Sequence, residues 1–436
     1  MKETAQHIFR ATLAAIDISE TMVCKLDPIG STICINGDRI DLRDFAEIVP
    51  IAYGKASLAM ADGLDRIISP DTRARGILVA PSPPAHAPRN WEIFLGGHPI
   101  PNEQSFAAGR AILDRLKRTT DRSLVIFLLS GGGSSLVEMP LDPAVSLEDF
   151  QQFHRALVTC GAPIEEINVI RRHLSATKGG RLAQAAAPGA TKITLGVTDV
   201  PEGHETALAS GPTLPDPSTI ADVLRIAQNH GLIARLPASL RAACEKNALI
   251  ETPKASDRAF DRASFVMALG MHDLFHHAHQ ATEAEGFLCI CDNSTDNWPI
   301  DRAADFLLSQ LETFQREQQG RAVAVLADGE VSSPVTGNGI GGRNAAFVLA
   351  CAKKIAGKNI TVLSAGTDGI DGNSPAAGAV ADGQTLARAQ AKNLDPEDFH
   401  RRSDAYTFFE KLNDAIITGP TGNNLRDLRI LLAPSR

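Results

Sequence analysis

The 436-residue sequence predicts an α/β protein built on a mainly parallel sheet. Short runs rich in Val, Ile and Leu alternate with longer amphipathic stretches along the whole chain. Those runs are apolar throughout their length, which marks strands buried on both faces. Nearly every one is followed by a helical stretch, the signature of strand–helix–strand units.

In chain order, strands are expected at Ile48–Ala52, Gly76–Ala80, Leu124–Leu129, Lys192–Val197, Ala263–Leu269, Ala322–Leu326 and Ile360–Leu363. Helices are expected at Lys55–Ile67, Gln104–Arg118, Leu147–Thr159, Met271–Glu285, Ala304–Arg316 and Asn344–Ile355. The first twenty residues read as an amphipathic helix carrying Glu3, Asp17 and Glu20, without the uninterrupted apolar core of a signal peptide. A polar stretch between about 235 and 260, with Pro237 and Pro253, places a seam there and gives two domains, 1–245 and 260–436.

Composition narrows the function. A net charge of −8 argues against a nucleic-acid surface, and no apolar run approaches the roughly 20 residues that cross a bilayer. Seven scattered cysteines form neither a disulfide framework nor a zinc ribbon, which fits a reducing cytoplasm.

In open α/β sheets ligands bind beyond the carboxyl ends of strands, so the loops that follow strands carry the chemistry. Four stand out. After Leu124–Leu129 come Ser130, Gly131, Gly132, Gly133, Ser134 and Ser135, a glycine run able to turn its N–H groups inward around an anion, with two hydroxyl donors beside it. It is neither a G-x-x-x-x-G-K-[ST] phosphate loop nor a G-x-S-x-G nucleophile elbow. In IAYGKAS, Lys55 opens a helix against the helix dipole, a conflict that an anionic ligand removes and that a solvated surface lysine also tolerates. In TGNGIGGRN, Gly337, Gly339 and Gly342 match G-x-G-x-x-G, but about ten residues separate them from the preceding strand; Arg343 and Asn344 read better as phosphate contacts. In SAGTDGIDGNS, Asp368 and Asp371 lie on a glycine-rich turn, suited to Mg²⁺, to accepting a proton, or to turn formation alone. An anion nest, a lysine, an arginine and carboxylates suit phosphoryl transfer better than hydride transfer.

The sequence resembles the class II glycerate kinases (glycerate 2-kinases), whose C-terminal part is the MOFRL domain and many of whose members are labelled hydroxypyruvate reductases. The stretches that carry the resemblance are AYGKASLAMADGL (53–65), GGHPIPNEQSFAAGRAIL (96–113), LLSGGGSSLVE (128–138), INVIRRHLSATKGGRLA (167–183), DVPEGHETALASGPTLPDPST (199–219), GEVSSPVTGNGIGGRN (329–344), SAGTDGIDGNSPAAGAVADG (364–383) and 404–432. The resemblance implies a larger three-layer, Rossmann-like domain and a smaller α/β MOFRL domain with the active site in the cleft between them. It implies a monomer or homodimer that phosphorylates D-glycerate, or a close hydroxy acid, from ATP with Mg²⁺. An NAD(P)H-dependent hydroxypyruvate reductase is the alternative. Lys55, Arg343 and Asp368 match the family's catalytic positions. Gly131, Gly132, Gly133, Ser134, Ser135, Asn168, Arg171, Lys178, Asp199, Asn344 and Asn424 match its substrate and phosphate contacts, and Glu330 with Asp371 its expected Mg²⁺ contacts.

Flanking positions depart from the family pattern. Ala345 and Ala346 replace Gln-Glu, Glu202 and Gly203 stand near a usual Gly-Asp, Met271 and His272 follow Gly270, and Ala327 and Asp328 replace a glycine-rich lead-in to Glu330. A shifted hydroxy-acid preference is therefore expected as one outcome. The histidines of MHDLFHHAHQ, the Ser175–Lys178 spacing and the Glu202–Glu205 cluster are read as surface or chance features.

Overall fold

The structure, a computed structural model, describes residues 1–197, 203–245, 249–422 and 425–435. It divides into two compact units, Ile18–Leu269 and Met1–Asp17 with Gly270–Arg436.

In the unit Ile18–Leu269, β1 (Thr32–Ile35) and β2 (Asp38–Asp41) pair as an antiparallel hairpin. The remaining strands are β3 (Glu47–Tyr53), β4 (Gly76–Ala80), β5 (Trp91–Leu95), β6 (Ser123–Ser130), β7 (Thr191–Val197) and β8 (Ala263–Leu269). They form one parallel sheet in the order β5-β4-β3-β6-β7-β8. Every residue of β6 is buried, as its unbroken apolar run requires of a central strand. Consecutive strands fan out from β3 to one side and from β6 to the other, so the topological switch point lies between β3 and β6. Helices Ser57–Ile67 and Glu103–Leu116 follow β3 and β5; the second begins at an Asn102 capping box. A separate helical core, with Phe150, Phe153, Ile170 and Val223 at its centre, holds helices Leu147–Val158, Ile164–Leu174 and Ile220–Asn229 together.

The second unit contains β9 (Leu288–Asp292), β10 (Val323–Asp328), β11 (Thr361–Gly366), β12 (Gly378–Asp382), β13 (Ala415–Ile416) and β14 (Asp427–Ala433), in the order β13-β12-β11-β14-β10-β9. Only β9 and β10 pair in parallel; the other ladders are antiparallel. Val323, Val325 and Ala327 join the apolar cluster under helices Ile300–Glu317 and Arg343–Lys354. Ala324 and Leu326 between them are equally buried and point to the opposite face.

Two boundaries differ from the sequence expectation. The N-terminal helix Lys2–Ala15 belongs with the C-terminal unit, where its buried face of Ala5, Ile8 and Phe9 packs on β11, β12 and β14 and Lys2 Nζ bonds Asp414 Oδ1 at 2.8 Å. β8, expected beyond the seam, is the sixth strand of the first sheet, paired along β7. The polar stretch at 235–260 thus lies inside the first unit.

Candidate active site

The loops leaving β3 and β6 are laced together at the switch point. Lys55 N–H donates to Gly131 O at 2.9 Å, and Ala56 N–H donates to Ser130 Oγ at 3.0 Å. Gly54 makes this possible: its φ is +127°, and a Cβ there would stand 2.1 Å from Ser130 Oγ. Gly132, at φ +81°, turns the chain into the one-turn helix Gly133–Leu136. The Lys55 side chain and the His98 ring flank it, Lys55 Cγ and His98 Cε1 each 3.4 Å from where a Gly132 Cβ would be. His98 Nδ1 is 3.0 Å from Ser135 Oγ. His98, in the stretch GGHPIP, carries no unusual local signal in the sequence, and only the fold brings it to the glycine loop.

A chain of hydrogen bonds runs inward from the same loop. Ser134 Oγ lies 2.9 Å from Ser210 Oγ, Ser210 Oγ lies 3.2 Å from Asn168 Oδ1, and Arg171 Nη1 donates to that same oxygen at 3.4 Å. The structure therefore joins three expected contacts, Ser134, Asn168 and Arg171, through a fourth residue, Ser210. Burial lowers the pKa of the Arg171 guanidinium, with Glu138 nearby opposing that, and an arginine remains charged at neutral pH.

Lys178 corrects the sequence reading. It is 1% exposed, and its ammonium donates to Glu138 Oε2 at 2.5 Å and to Val137 O at 3.3 Å. Ser175 Oγ donates to the other Glu138 oxygen. Burial pushes the Glu138 carboxyl upward, but Lys178 and His154 outweigh that and hold it below the usual carboxylate range. Two of the three ammonium protons of Lys178 are thus spent on Glu138 and Val137, and burial keeps the third from solvent. Asp199, Asn424 and Glu202 lie outside the described residues.

In the second unit, Arg343 opens helix Arg343–Lys354 and is held by two carboxylates. Its Nη1 and Nη2 donate to Glu330 Oε2 and Oε1 at 2.7 and 2.5 Å, and its Nε donates to Asp427 Oδ2 at 2.5 Å. Burial works against the guanidinium charge, and Asp427 and Glu330 more than offset that and raise its pKa. Asp371 caps the same helix: Oδ1 accepts from Asn344 N–H at 3.0 Å and Oδ2 from Ala345 N–H at 2.9 Å. Its burial raises the carboxyl to about 6 despite those two bonds. Asn344, 1% exposed, accepts from Ser364 Oγ at 2.6 Å. Asp368 Oδ1 accepts from Ile370 N–H across the turn after β11.

The glycine fingerprint has a local explanation. A Cβ on Gly337 would meet Arg402 O at 2.4 Å, one on Gly339 would meet the Asp404 side chain at 2.4 Å, and one on Gly342 would meet Asp371 Oδ1 at 2.2 Å. These glycines let the loop close on its own unit. Beside them is a cavity of about 770 Å³ lined by Arg343, Asn344, Ile370, Asn373, Phe399 and His400 among others, within the size range of small-molecule sites.

The expected Mg²⁺ pair does not fit this arrangement. Glu330 is bound on both oxygens by Arg343, and Asp371 is buried with both oxygens on helix N–H groups. Among the described residues, no three His, Cys, Asp or Glu side chains gather as a metal-holding group.

Comparison with known proteins finds two family models along the chain. Residues 4–245 match the family model described as Domain of unknown function (DUF4147), and 323–427 match the MOFRL family. A D-glycerate 2-kinase of Thermotoga maritima is 33% identical over 387 residues, 88% of this chain and 90% of that protein. The chain belongs to the class II glycerate kinase (glycerate 2-kinase, MOFRL) family. A protein of Agrobacterium vitis named putative hydroxypyruvate reductase is 35% identical over 396 residues, 89% of this chain and 88% of its own. The crystal structure of glycerate kinase from Thermotoga maritima has a TM-score of 0.83 at 31% identity, covering 99% of each chain. The two-domain α/β architecture is that of the glycerate kinases, and no described helix is long and apolar enough to cross a membrane.

Proposed function

We propose that the protein transfers the γ-phosphoryl group of ATP to the 2-hydroxyl of D-glycerate or a close small hydroxy acid. The observation that carries this reading is the lacing of Lys55 to the Gly131–Ser135 loop at the switch point, where α/β sheets bind ligands. In the first unit, Lys55 and the N–H groups of Gly131–Gly133 neutralise phosphate oxygens, while Ser134 at the end of the same loop faces the substrate and Arg171 takes its carboxylate. In the second, Arg343 serves the transferring phosphoryl group and Asp368 takes the proton of the attacked hydroxyl. The nucleotide is assigned to the cavity lined by Arg343 and Asn344. Catalysis then rests on positioning and charge neutralisation, as phosphoryl transfer requires. Mg²⁺ would enter as the counterion of ATP rather than with Glu330 or Asp371 as its ligands.

A reducing, cytoplasmic setting belongs to the same reading, because the seven cysteines are scattered along the sequence rather than spaced as a disulfide framework. The reductase alternative loses its local support, because the three glycines of the fingerprint are taken up by packing inside their own unit. The test is to incubate the protein with D-glycerate and Mg-ATP, and separately with hydroxypyruvate and NADH or NADPH. ADP formation without nicotinamide oxidation is expected; nicotinamide oxidation without ADP formation would reverse the assignment.

A further inference from the structure

We propose that Ser210 is a positioning residue that fixes the polarity of the Ser134 hydroxyl, making Ser134 an acceptor for the spectator hydroxyl of a hydroxy acid. The inference rests on the reading of the Gly131–Ser135 loop as the substrate loop, and it names what that loop selects.

The direction of the hydrogen-bond chain follows from its inner end. Arg171 has only donors, and its Nη1 points at Asn168 Oδ1, so that atom is the amide oxygen and can only accept. Ser210 lies 3.2 Å from the same oxygen and gives it its single proton. The 2.9 Å contact between the two serines is therefore made by the proton of Ser134. With that proton spent, Ser134 offers lone pairs alone to a bound molecule. Ser134 is half-buried and reaches solvent, whereas Ser210 is 0% exposed and acts only through it.

The backbone around Ser210 is built to hold this arrangement. Ala209, Ser210 and Gly211 have φ of +49°, +62° and +62°, a left-handed run that is unfavourable for the two residues with side chains. Gly179 N–H to Ser210 O at 3.0 Å and Gly180 N–H to Gly211 O at 2.7 Å pin it in place. On the other side, Gly133 lies so close that a Cβ there would stand 2.8 Å from Ala209 Cβ. Strain of this kind persists where surrounding structure over-determines it.

The chemical consequence is selectivity. A guanidinium at one end of the chain and an acceptor hydroxyl at the other suit a molecule with a carboxylate and a hydroxyl donor. For D-glycerate phosphorylated at C2, the donor is the C3 hydroxyl. D-lactate, which lacks that hydroxyl, leaves the Ser134 lone pairs unmet.

The test is calorimetric binding of D-glycerate and D-lactate to the wild type, Ser210→Ala and Ser210→Gly, with steady-state KM and kcat for D-glycerate alongside. Glycine is at ease at φ +62°, so Ser210→Gly relieves the backbone while removing the hydroxyl. The wild type is expected to prefer D-glycerate by about tenfold, the worth of one hydrogen bond. In both variants that preference falls toward unity, KM for D-glycerate rises by a similar factor, and kcat changes less. An unchanged preference in a folded variant overturns the proposal. So does an equal loss of both acids, which is the mark of a loop that has merely collapsed, or a wild type that binds neither acid. A wild type that shows the preference in binding yet turns over no ATP sinks the kinase reading and leaves the role of Ser210 standing.

Discussion

Arg343 holds Glu330 through both terminal nitrogens, at 2.7 and 2.5 Å, while its Nε is taken by Asp427. Two carboxylates on one guanidinium leave the cluster with a net negative charge, so a phosphoryl group competes with Glu330 for the same fork. The planar geometry of the pair is one that lysine cannot reproduce. Arg343→Ala and Arg343→Lys are therefore both expected to lower kcat, the alanine variant by roughly 10³-fold or more, as arginine removal does in other phosphoryl transfers. Steady-state kinetics with D-glycerate and ATP decides it; an alanine variant within a few-fold of wild type would remove Arg343 from the mechanism.

Lys178 and Glu138 are each 1% exposed and bonded at 2.5 Å. Removing one partner leaves an uncompensated buried charge, so Lys178→Met and Glu138→Leu are each expected to cost about 3–5 kcal/mol in urea unfolding. The double variant is expected to cost well under the sum. Additive losses would show that the two do not act as a pair.

Gly54→Ala would place a methyl 2.1 Å from Ser130 Oγ in a left-handed backbone. Either effect alone is costly, at about 1–3 kcal/mol for the strain. The variant is expected to lose thermal stability and activity together, because the same displacement breaks the Ala56 bond to Ser130. A melting temperature within a degree or so of wild type would mean that the two loops are not laced as described.

Asp328 is fully buried at the end of β10, and burial raises its carboxyl to about 6, with Arg426 and Arg429 acting against that. A raised carboxyl makes the folded state bind more protons than the unfolded one, so its contribution favours folding at low pH and is lost as pH climbs from about 4 to about 6. Asp328→Asn removes this dependence. Relative to wild type, the variant is expected to gain about 1–3 kcal/mol between pH 4 and pH 8, read from paired denaturation curves. A difference that stays constant, or shrinks, over that range would contradict the assignment.

The strands that were legible in the sequence are those buried on both faces. Ser123–Ser130 announces itself by the unbroken apolar run Leu124–Leu129, and the glycine loop follows directly from where that strand ends. What lay beyond reading depends on partners distant in the chain. The helix Lys2–Ala15 is visibly amphipathic, but its pattern shows only that one face is covered, and its covering sheet begins nearly three hundred residues later. Asp427–Ala433 ends in the apolar run Ile430–Ala433, yet its insertion between β10 and β11 is a choice of neighbours that no local pattern encodes.

The site divides in the same way. Lys55, Arg343 and the glycine loop stand out because charge and glycine at a strand end are unusual locally. Lys178 looks equally exposed in the sequence, and only the fold brings Glu138, forty residues earlier, to bury it. Ser210 gives no sign of its importance, since its left-handed backbone falls on residues that rarely adopt it. Its one trace is the Ser-Gly-Pro of the stretch ASGPT.

The central claim is phosphoryl transfer from ATP to C2 of a small hydroxy acid. Its most direct test is a ¹H–³¹P correlation spectrum of the product formed from D-glycerate and Mg-ATP. The account predicts ADP together with a phosphorus coupled to the single proton on C2; a phosphorus coupled to the C3 methylene protons, or no phosphorylated acid at all, would contradict it.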